Sequence, residues 1–456
     1  MSNGYKPYSR DQAFLLPPCM KDWLPKGDLA YFIADLSETL DLSEIDRYYQ
    51  AGKALSGQPP FHPRVMVGLL LYAYGLGTTS SRKIARLCER DLGYRIVSAD
   101  QQPNFRTVSE FRRIHLKALN GLFVQVLHLA REAGLVKLGH VALDGTKVKA
   151  NASKHKAMSY ARMCEREAQY AREVAELLRR AQETDEAEDR EYGQEVRGDE
   201  LPEELQFREK RLAKIRAAKR ALEAAAKEKA RSEGKLDEKD EPIPPKRGRA
   251  PQTPPGTPEP KAQRNFTDPE SSIMKMGDGS FDQAYNAAFV RKRLCQAAVD
   301  SAHQIIVAQE ATDAANDKQQ VVPMFEQIQR NLGRKPKQGS ADSGYYSESN
   351  VRYLRKRRID DYLCPDRLKQ GETPPPVRGP IPEGLSLIDR VRRKLMKKSG
   401  RRTYALRKQI VEPVFGQIKS ARGLRQFLLR GREKVQGEWS LWCTTHNLLK
   451  LWTATA

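Results

Sequence analysis

Apolar residues in the first 137 positions recur at the helical spacing of three and four, with short turns between the runs. The segment PRVMVGLLLYAYGLG begins with Pro63, which suits a first helical turn, and it ends in two glycines. The next segment, TTSSRKIARLCERDLG, opens on hydroxyl residues that can cap a helix. A third helix is predicted from Thr107 to Ala133. We therefore predict an all-α N-terminal domain over residues 1–137.

The second of these helices has an apolar face and a basic face. Ile84 and Leu87 lie on the apolar face, and the basic face comprises Arg82, Lys83 and Arg86. A helix, a short turn with glycine and a basic helix are typical of a helix-turn-helix that binds DNA. Two core helices with a basic exposed side would have the same pattern, so both interpretations stay open.

From residue 138 the pattern changes to that of strands. The stretch GHVALDGTKVKAN predicts a strand or hairpin within residues 138–153. Residues 294–312 predict two further strands, and a helix, a short strand ending at Ala341, another helix and the strand DDYLC follow. Residues 387–456 are predicted to be helical. Strands that alternate with helices indicate an α/β fold.

Two segments of different composition separate the first strand from the others. Residues 154–230 repeat apolar residues at helical spacing on both sides of an acidic turn, which predicts an antiparallel helical hairpin. This hairpin either grips DNA or a second subunit, or it is an insertion without a role of its own. Residues 231–270 are rich in Pro, Lys and Glu, which predicts a flexible linker. The sheet domain would then consist of residues 138–153 and 271–456.

The charge of the chain favours a polyanionic partner. The 456 residues include 80 Lys and Arg against 58 Asp and Glu, a net charge of +22, and neutralising phosphates releases their counterions. A protein that is merely basic is the alternative. No apolar run approaches the roughly 20 residues that span a bilayer. The six cysteines contain no C-x-x-C pair and the seven histidines are scattered, so we expect a cytoplasmic protein without disulfides, a histidine metal site or membrane contact.

Three acidic residues stand out by their settings. Asp144 ends the run Val-Ala-Leu, Asp342 follows a predicted strand, and Glu412 lies early in an apolar helix. Carboxylates at strand ends lie where open sheets bind ligands. Three converging carboxylates need a cation, and Mg²⁺ takes oxygen ligands and bridges phosphates. Each residue also has an ordinary explanation, since Asp144-Gly145 is a hairpin-turn signal, Asp342 suits a turn or cap, and glutamate suits a first helical turn.

Basic residues accompany two of these carboxylates. Lys147 and Lys149 alternate after Asp144, so they point to one side of a strand. Glu412 and Lys419 are seven residues apart and share one face of a helix. This spacing suits a DNA strand with a metal at the scissile phosphate and an ammonium group at a neighbouring one.

The chain resembles bacterial insertion-sequence transposases of the DDE class. The resemblance rests on LDGTKVKANAS at 143–153, ANDKQQ at 315–320, ADSGYYSE at 341–348, and on residues 404–451 with the motifs VEPVFGQIK, GLRQFLLRG and HNLLKL. The last stretch is similar to a Tyr-Arg-Glu-Lys signature of one transposase branch. That signature usually has three residues between Arg and Glu, whereas four separate Arg407 from Glu412.

The resemblance implies an RNase H-like catalytic domain, a mixed sheet flanked by helices, whose metal-binding triad is Asp144, Asp342 and Glu412. It implies Mg²⁺, with Mn²⁺ as a substitute, and cleavage and strand transfer of insertion-sequence ends. The residues expected to hold DNA phosphates are Tyr404, Arg407 and Lys419. The implied partners are double-stranded terminal inverted repeats, target DNA and a second copy of the chain, in the bacterial nucleoid. A non-catalytic, domesticated DNA-binding protein and a Mg²⁺-dependent nuclease without strand transfer are the alternatives.

Overall fold

The computed structural model describes residues 19–51, 60–153, 156–192, 203–237, 240–243, 253–275, 281–284, 295–312, 317–365 and 373–455. No helix in these ranges is long and apolar enough to cross a membrane.

Helices alone form the described part of the chain before the first strand. They are α1 (Leu29–Thr39), α2 (Ser43–Gln50), α3 (Pro63–Gly75), α4 (Ser81–Arg90), α5 (Leu92–Val97), α6 (Phe105–Ile114) and α7 (Leu116–Glu132). The single helix predicted from Thr107 to Ala133 is in fact two, α6 and α7. His115 separates them with φ −96° and ψ 17°, and its ring packs on Tyr48, Tyr49 and Phe111. This aromatic packing is tertiary, so the local pattern did not reveal it.

The strands follow in chain order: β1 (His140–Thr146), β2 (Ala157–Ser159), β3 (Gln263–Asn265), β4 (Ser272–Lys275), β5 (Phe281–Ala284), β6 (Cys295–Asp300), β7 (Ile306–Ala311), β8 (Gln338–Ala341) and β9 (Asp360–Leu363). Five of them form one sheet in the order β7-β6-β1-β8-β9. β6 is antiparallel to β1 and β7, whereas β8 is parallel to β1 and β9. This mixed sheet and the helical N-terminal region confirm the predicted fold class and are consistent with an RNase H-like DDE domain.

The inserted hairpin consists of α8 (Tyr160–Tyr192) and α9 (Glu203–Ser232). The two helices run antiparallel and bury Met163 against Ile215. Ion pairs join their surfaces, including Glu167 with Arg216 and Lys219. Because exposed ion pairs contribute little to stability, the apolar seam accounts for most of the association.

Part of the segment predicted as a linker is structured. β3 lies within residues 231–270 and pairs antiparallel with β2. Asn265 is 1% exposed and donates to the Ser153 carbonyl, while Asp268 is also 1% exposed. Polar residues form this substructure through side-chain hydrogen bonds, so the low content of large apolar residues did not predict it.

After β7, the described residues contain five α-helices: α10 (Val321–Leu332), α11 (Glu348–Lys356), α12 (Leu387–Met396), α13 (Lys398–Gly416) and α14 (Arg432–Thr455). A π-helical turn, Gln417–Ala421, continues α13. α13 packs against β1 and β6, and α14 packs against β7, α7 and α3. Asn447 of α14 exchanges hydrogen bonds with both backbone groups of Ile306 (2.8 Å each). The N-terminal helices and the sheet therefore share one hydrophobic core.

Gly77, in the turn between α3 and α4, allows the backbone of the N-terminal helices to approach the backbone of Arg422 closely. Its φ is +75°, and a Cβ there would lie 2.2 Å from the Arg422 carbonyl oxygen. Gly27 has a similar φ of +85°, but a Cβ there would meet nothing within 4 Å.

We expect Gly77→Ala to lower the free energy of unfolding by more than Gly27→Ala does. Both variants incur left-handed strain of roughly 1–2 kcal/mol, and only Gly77→Ala also pushes Arg422 away, which adds on the order of 1 kcal/mol or more. Denaturant unfolding of both variants measures the difference. Equal losses would contradict the inferred contact.

Candidate active site

Two of the predicted acidic residues lie side by side just beyond the last residue pair of the parallel strands β1 and β8. β1 and β8 are parallel, with Ala142 opposite Ser340, so two residues further on Asp144 is level with Asp342. Adjacent strands are about 4.8 Å apart. Parallel pairing thus brings together carboxylates that are far apart in sequence.

Asp144 belongs to the strand and not to a turn. It pairs with Ala297 of β6, and Gly145 and Thr146 continue the same ladder. The hairpin-turn interpretation of Asp144-Gly145 is therefore wrong. The apolar residues before Asp144 are fully buried, and pairing with β6 extends the strand through the glycine.

An arginine from α13 neutralises Asp144. Arg407 Nη1 donates to Asp144 Oδ2 at 2.9 Å, and Asp144 Oδ1 accepts from the Gly145 N–H at 2.8 Å. Burial nevertheless raises the pKa of Asp144, and the neighbouring Asp342 carboxylate also raises it. The site thus crowds negative charge in a desolvated place, and Arg407 balances part of it.

A third carboxylate, which the sequence interpretation did not single out, lies next to Asp342. A Cβ on Gly344 would lie 3.1 Å from Asp342 Oδ1 and 3.2 Å from Asp317 Oδ2. Burial raises the pKa of Tyr345 well above its usual value, and Asp317, Asp144 and Asp342 raise it further. The phenol of Tyr345 therefore lies within electrostatic range of all three carboxylates. Asp317 belongs to the motif ANDKQQ, and this motif was the signal in the sequence that could have identified it as a site residue.

Glu412 lies on α13 between two contacts with the β1 region. Five residues before it, Arg407 reaches Asp144, and seven residues after it, Lys419 reaches Thr146. The Glu412 side chain is exposed. Within the described ranges, no three His, Cys, Asp or Glu side chains are grouped so that they could hold a metal ion.

Pro413 fixes the local course of α13 next to Glu412. Proline has no N–H, so the helix cannot bond the Gln409 carbonyl in the usual way. That carbonyl accepts from the Gln304 side chain at 3.1 Å. The interruption in the helix is thus compensated by the loop before β7.

The other predicted phosphate ligands surround the same strand end. Lys419 Nζ donates to Thr146 Oγ1 and to the Lys147 carbonyl, both at 3.1 Å. Burial lowers the pKa of Lys419. Tyr404 lies against Arg407, with 5.9 Å from the guanidinium to the ring centre, and burial raises the pKa of Tyr404 to about 12.

Residues 147–151 leave the site along a segment near the C-terminus. Lys149 forms a bridge with Gln426 and an ion pair with Asp282 (2.5 Å). Asn151 Nδ2 donates to the Leu428 carbonyl at 2.6 Å. The segment from Arg422 to Arg430 thus lies along the chain that follows Asp144.

The predicted basic face of α4 lies on the surface. The exposed side chains are those of Arg82, Lys83 and Arg86, whereas Ile84 and Cys88 are buried. α3 and α4 follow one another with a short connection at Gly77, as in a helix-turn-helix, but α4 packs mainly against α5 and α6.

Two family models match the chain, one on each side of the inserted hairpin. Residues 18–113 match a family described as Transposase domain (DUF772), and residues 382–452 match the Transposase DDE domain. The two matches indicate an insertion-sequence DDE transposase. No curated protein and no solved structure matches the chain.

The C-terminal match, residues 382–452, covers α13 and most of α14. It therefore includes Arg407, Glu412 and Lys419, and also Glu438, which is 1% exposed on α14. The Glu438 carboxylate accepts from the N–H groups of Leu428 (3.0 Å) and Leu429 (2.9 Å). A buried carboxylate thus holds the segment that lies along residues 147–151.

Proposed function

We propose that this transposase cleaves DNA at the ends of an insertion sequence and joins the freed 3′ ends to target DNA. The proposed holders of the divalent metal are Asp144, Asp342 and Glu412. The observation that supports the proposal best is that Asp144 and Asp342 are level with each other, two residues beyond the last pair of the parallel strands β1 and β8.

The donor set fits a hard divalent cation such as Mg²⁺, with Mn²⁺ as a substitute. Carboxylate oxygens are the ligands that these ions prefer. Asp342 raises the pKa of the partly buried Asp144, and a bound cation would relieve the repulsion between the two carboxylates. When bound, the metal would activate the attacking water or 3′-hydroxyl and stabilise the leaving oxygen.

Glu412 would complete the set when DNA is bound. Its support is its position on α13 between Arg407 and Lys419, both of which reach the β1 region. Because its side chain is exposed, Glu412 is accessible to a ligand.

Arg407 has two roles in this proposal. It stabilises the ionised form of Asp144 before DNA binds, through the 2.9 Å contact. Once a bound cation neutralises the Asp144 carboxylate, the Arg407 guanidinium can pair with a DNA phosphate through two hydrogen bonds, as arginine favours. Tyr404 supports the guanidinium from the side.

DNA would run from the sheet edge towards the N-terminal helices. Lys147 and Lys149 flank the outgoing chain, and the proposed recognition surface for the terminal inverted repeats comprises Arg82, Lys83 and Arg86. Two copies of the chain would pair the two ends, and the net charge of +22 would favour association with the nucleoid.

The proposal is tested with DNA that carries the inverted repeats flanking the coding gene. Mg²⁺-dependent cleavage followed by joining of the ends to a second DNA supports a transposase. Cleavage without joined products would indicate a nuclease, and binding without cleavage would indicate a non-catalytic DNA-binding protein.

We expect Lys419→Ala to weaken binding of the DNA ends and to reduce its salt dependence. An ammonium group has three donors, and two of them reach Thr146 and Lys147, so one remains for a phosphate. Loss of one phosphate contact lowers the slope of log K against log salt by about 0.9. Titrations at several salt concentrations measure this slope.

Lys450→Ala is the matched control. Lys450 is also half-buried and donates to Gln304 Oε1 at 3.0 Å, on the far part of α14. Its removal changes the net charge equally. Equal slopes for the two variants would count against a phosphate contact of Lys419.

A further inference from the structure

A cleft between α4 and α6 presents an exposed aromatic ring among arginines. Phe105, the first residue of α6, is 38% exposed. The guanidinium carbon of Arg82 lies 5.1 Å from the ring centre and that of Arg106 lies 5.8 Å from it. The cleft has a volume of about 530 Å³, within the roughly 300–1,000 Å³ of ligand-binding pockets.

The charge of the cleft complements an anion. Arg82, Arg106 and Arg113 line it together with one carboxylate, Glu110, which pairs with Arg113 at 2.6 Å. The cleft also borders the first turn of α4, where Ser80 makes no side-chain capping hydrogen bond. The N–H groups of a first helical turn favour phosphate.

A buried arginine holds the wall of the cleft in place. Arg112 is 5% exposed and donates to Tyr74 and to the Thr79 carbonyl, both at 2.9 Å, and to Ser81 Oγ at 3.3 Å. It thereby ties α6 to α3 and to the start of α4. The shape of the cleft is therefore preformed, because buried hydrogen bonds hold the helices that form its walls.

The cleft is connected to the candidate active site. Leu428 lines it, and the Leu428 carbonyl accepts from Asn151, seven residues after Asp144. Seven extended residues span at most about 25 Å. A DNA strand that advances about 3.4 Å per nucleotide, as in a duplex, covers the part of this path from Asp144 to Asn151 in about seven nucleotides.

We propose that this cleft binds one unpaired nucleotide of a DNA strand, with the base stacked on Phe105 and the phosphate held by Arg82 and Arg106. Exposed aromatic rings in a positively charged groove bind single-stranded nucleic acid without sequence preference, and here both guanidinium groups lie over the Phe105 ring in cation–π contacts. The inference rests on the proposed function, because it assigns the strand that leaves the active site to this surface.

The test compares Phe105→Ala with Phe105→Trp in the full chain. The probes are a fluorescent single-stranded oligothymidylate and a duplex of the same length, in EDTA so that no cleavage occurs. Loss of one stacked base weakens binding roughly 5- to 150-fold. We expect that loss for the oligothymidylate with Phe105→Ala, little change for the duplex, and retained binding with Phe105→Trp.

Phe207→Ala is the control, since Phe207 is 63% exposed on α9, and it should bind both probes like the wild type. Unchanged oligothymidylate binding by Phe105→Ala would overturn the proposal, as would equal weakening of both probes or an equal effect of Phe207→Ala. These measurements need no catalysis. If the protein never cleaves DNA but loses single-strand binding with Phe105→Ala, the proposed function is contradicted. The proposal that the cleft binds an unpaired nucleotide would then still hold.

Discussion

Replacement of Asp144 by asparagine is expected to lower Mg²⁺-dependent DNA cleavage by at least about 100-fold, since loss of even an outer-shell partner of a metal costs 10- to 100-fold. Asparagine keeps the size of the side chain and still accepts from the Gly145 N–H. It removes the negative charge that faces Asp342 and Arg407. The loss should therefore lie in the chemical step, while DNA binding in EDTA stays close to that of the wild type.

The control for this variant is Asp361→Asn. Asp361 is buried, at 2% exposed, and forms an ion pair with Arg355 at 2.8 Å. It lies near the start of β9, away from the edge of the sheet that carries Asp144 and Asp342. It should keep cleavage even if it loses stability. If both variants lose cleavage equally, the loss reflects a disturbed sheet, and Asp144 would have no special role.

Replacement of Glu438 by glutamine is expected to flatten the pH dependence of stability. Burial raises the pKa of Glu438 to about 7, although the N–H groups of Leu429 and Leu428 lower it in part. The carboxyl of an unfolded chain titrates near 4.5. Between these values the folded protein holds a proton that the unfolded chain releases, so stability falls as the pH rises from about 4.5 to about 7.

The size of this effect follows from the two pKa values of Glu438, 4.5 in the unfolded chain and about 7 in the folded protein, whose difference corresponds to about 3 kcal/mol. Glutamine has no charge to desolvate and retains an oxygen that can accept from Leu428 and Leu429. Denaturant unfolding of both proteins from pH 4 to pH 8 isolates the contribution of Glu438, because other titrating groups are common to both. The difference in stability should change by about 3 kcal/mol in favour of glutamine across this range. A constant difference would show that the pKa of Glu438 is the same in the folded protein and in the unfolded chain.

The sequence predicted the parts of the site that depend on local pattern. Asp144 follows an apolar run, Asp342 follows the short segment Gln338–Ala341, and both segments are strands in the structure. Whether Asp144 turned the chain or continued the strand depended on Ala297, its partner in β6. That partner lies more than a hundred residues away, so no local spacing decided between the two interpretations.

Contacts between distant segments were the part that the sequence did not reveal. Arg407 was expected to hold a phosphate, yet in the structure its guanidinium forms an ion pair with Asp144. Asp317 lies in a motif that was noticed, but its nearness to Asp342 follows from how two loops meet at Gly344. Likewise, the Glu438 carboxylate contacts Leu428 only because α14 folds back on that segment.

The central claim is that Asp144, Asp342 and Glu412 bind one divalent metal site when DNA is present. The direct test is anomalous diffraction from crystals of the transposase grown with its terminal DNA and Mn²⁺. We expect a manganese peak within about 2.0–2.2 Å of carboxylate oxygens of Asp144 and Asp342, with Glu412 turned towards it and Arg407 moved to a phosphate. A peak held by other residues, or an ordered complex in which Arg407 still pairs with Asp144 and no manganese is bound there, would contradict the account.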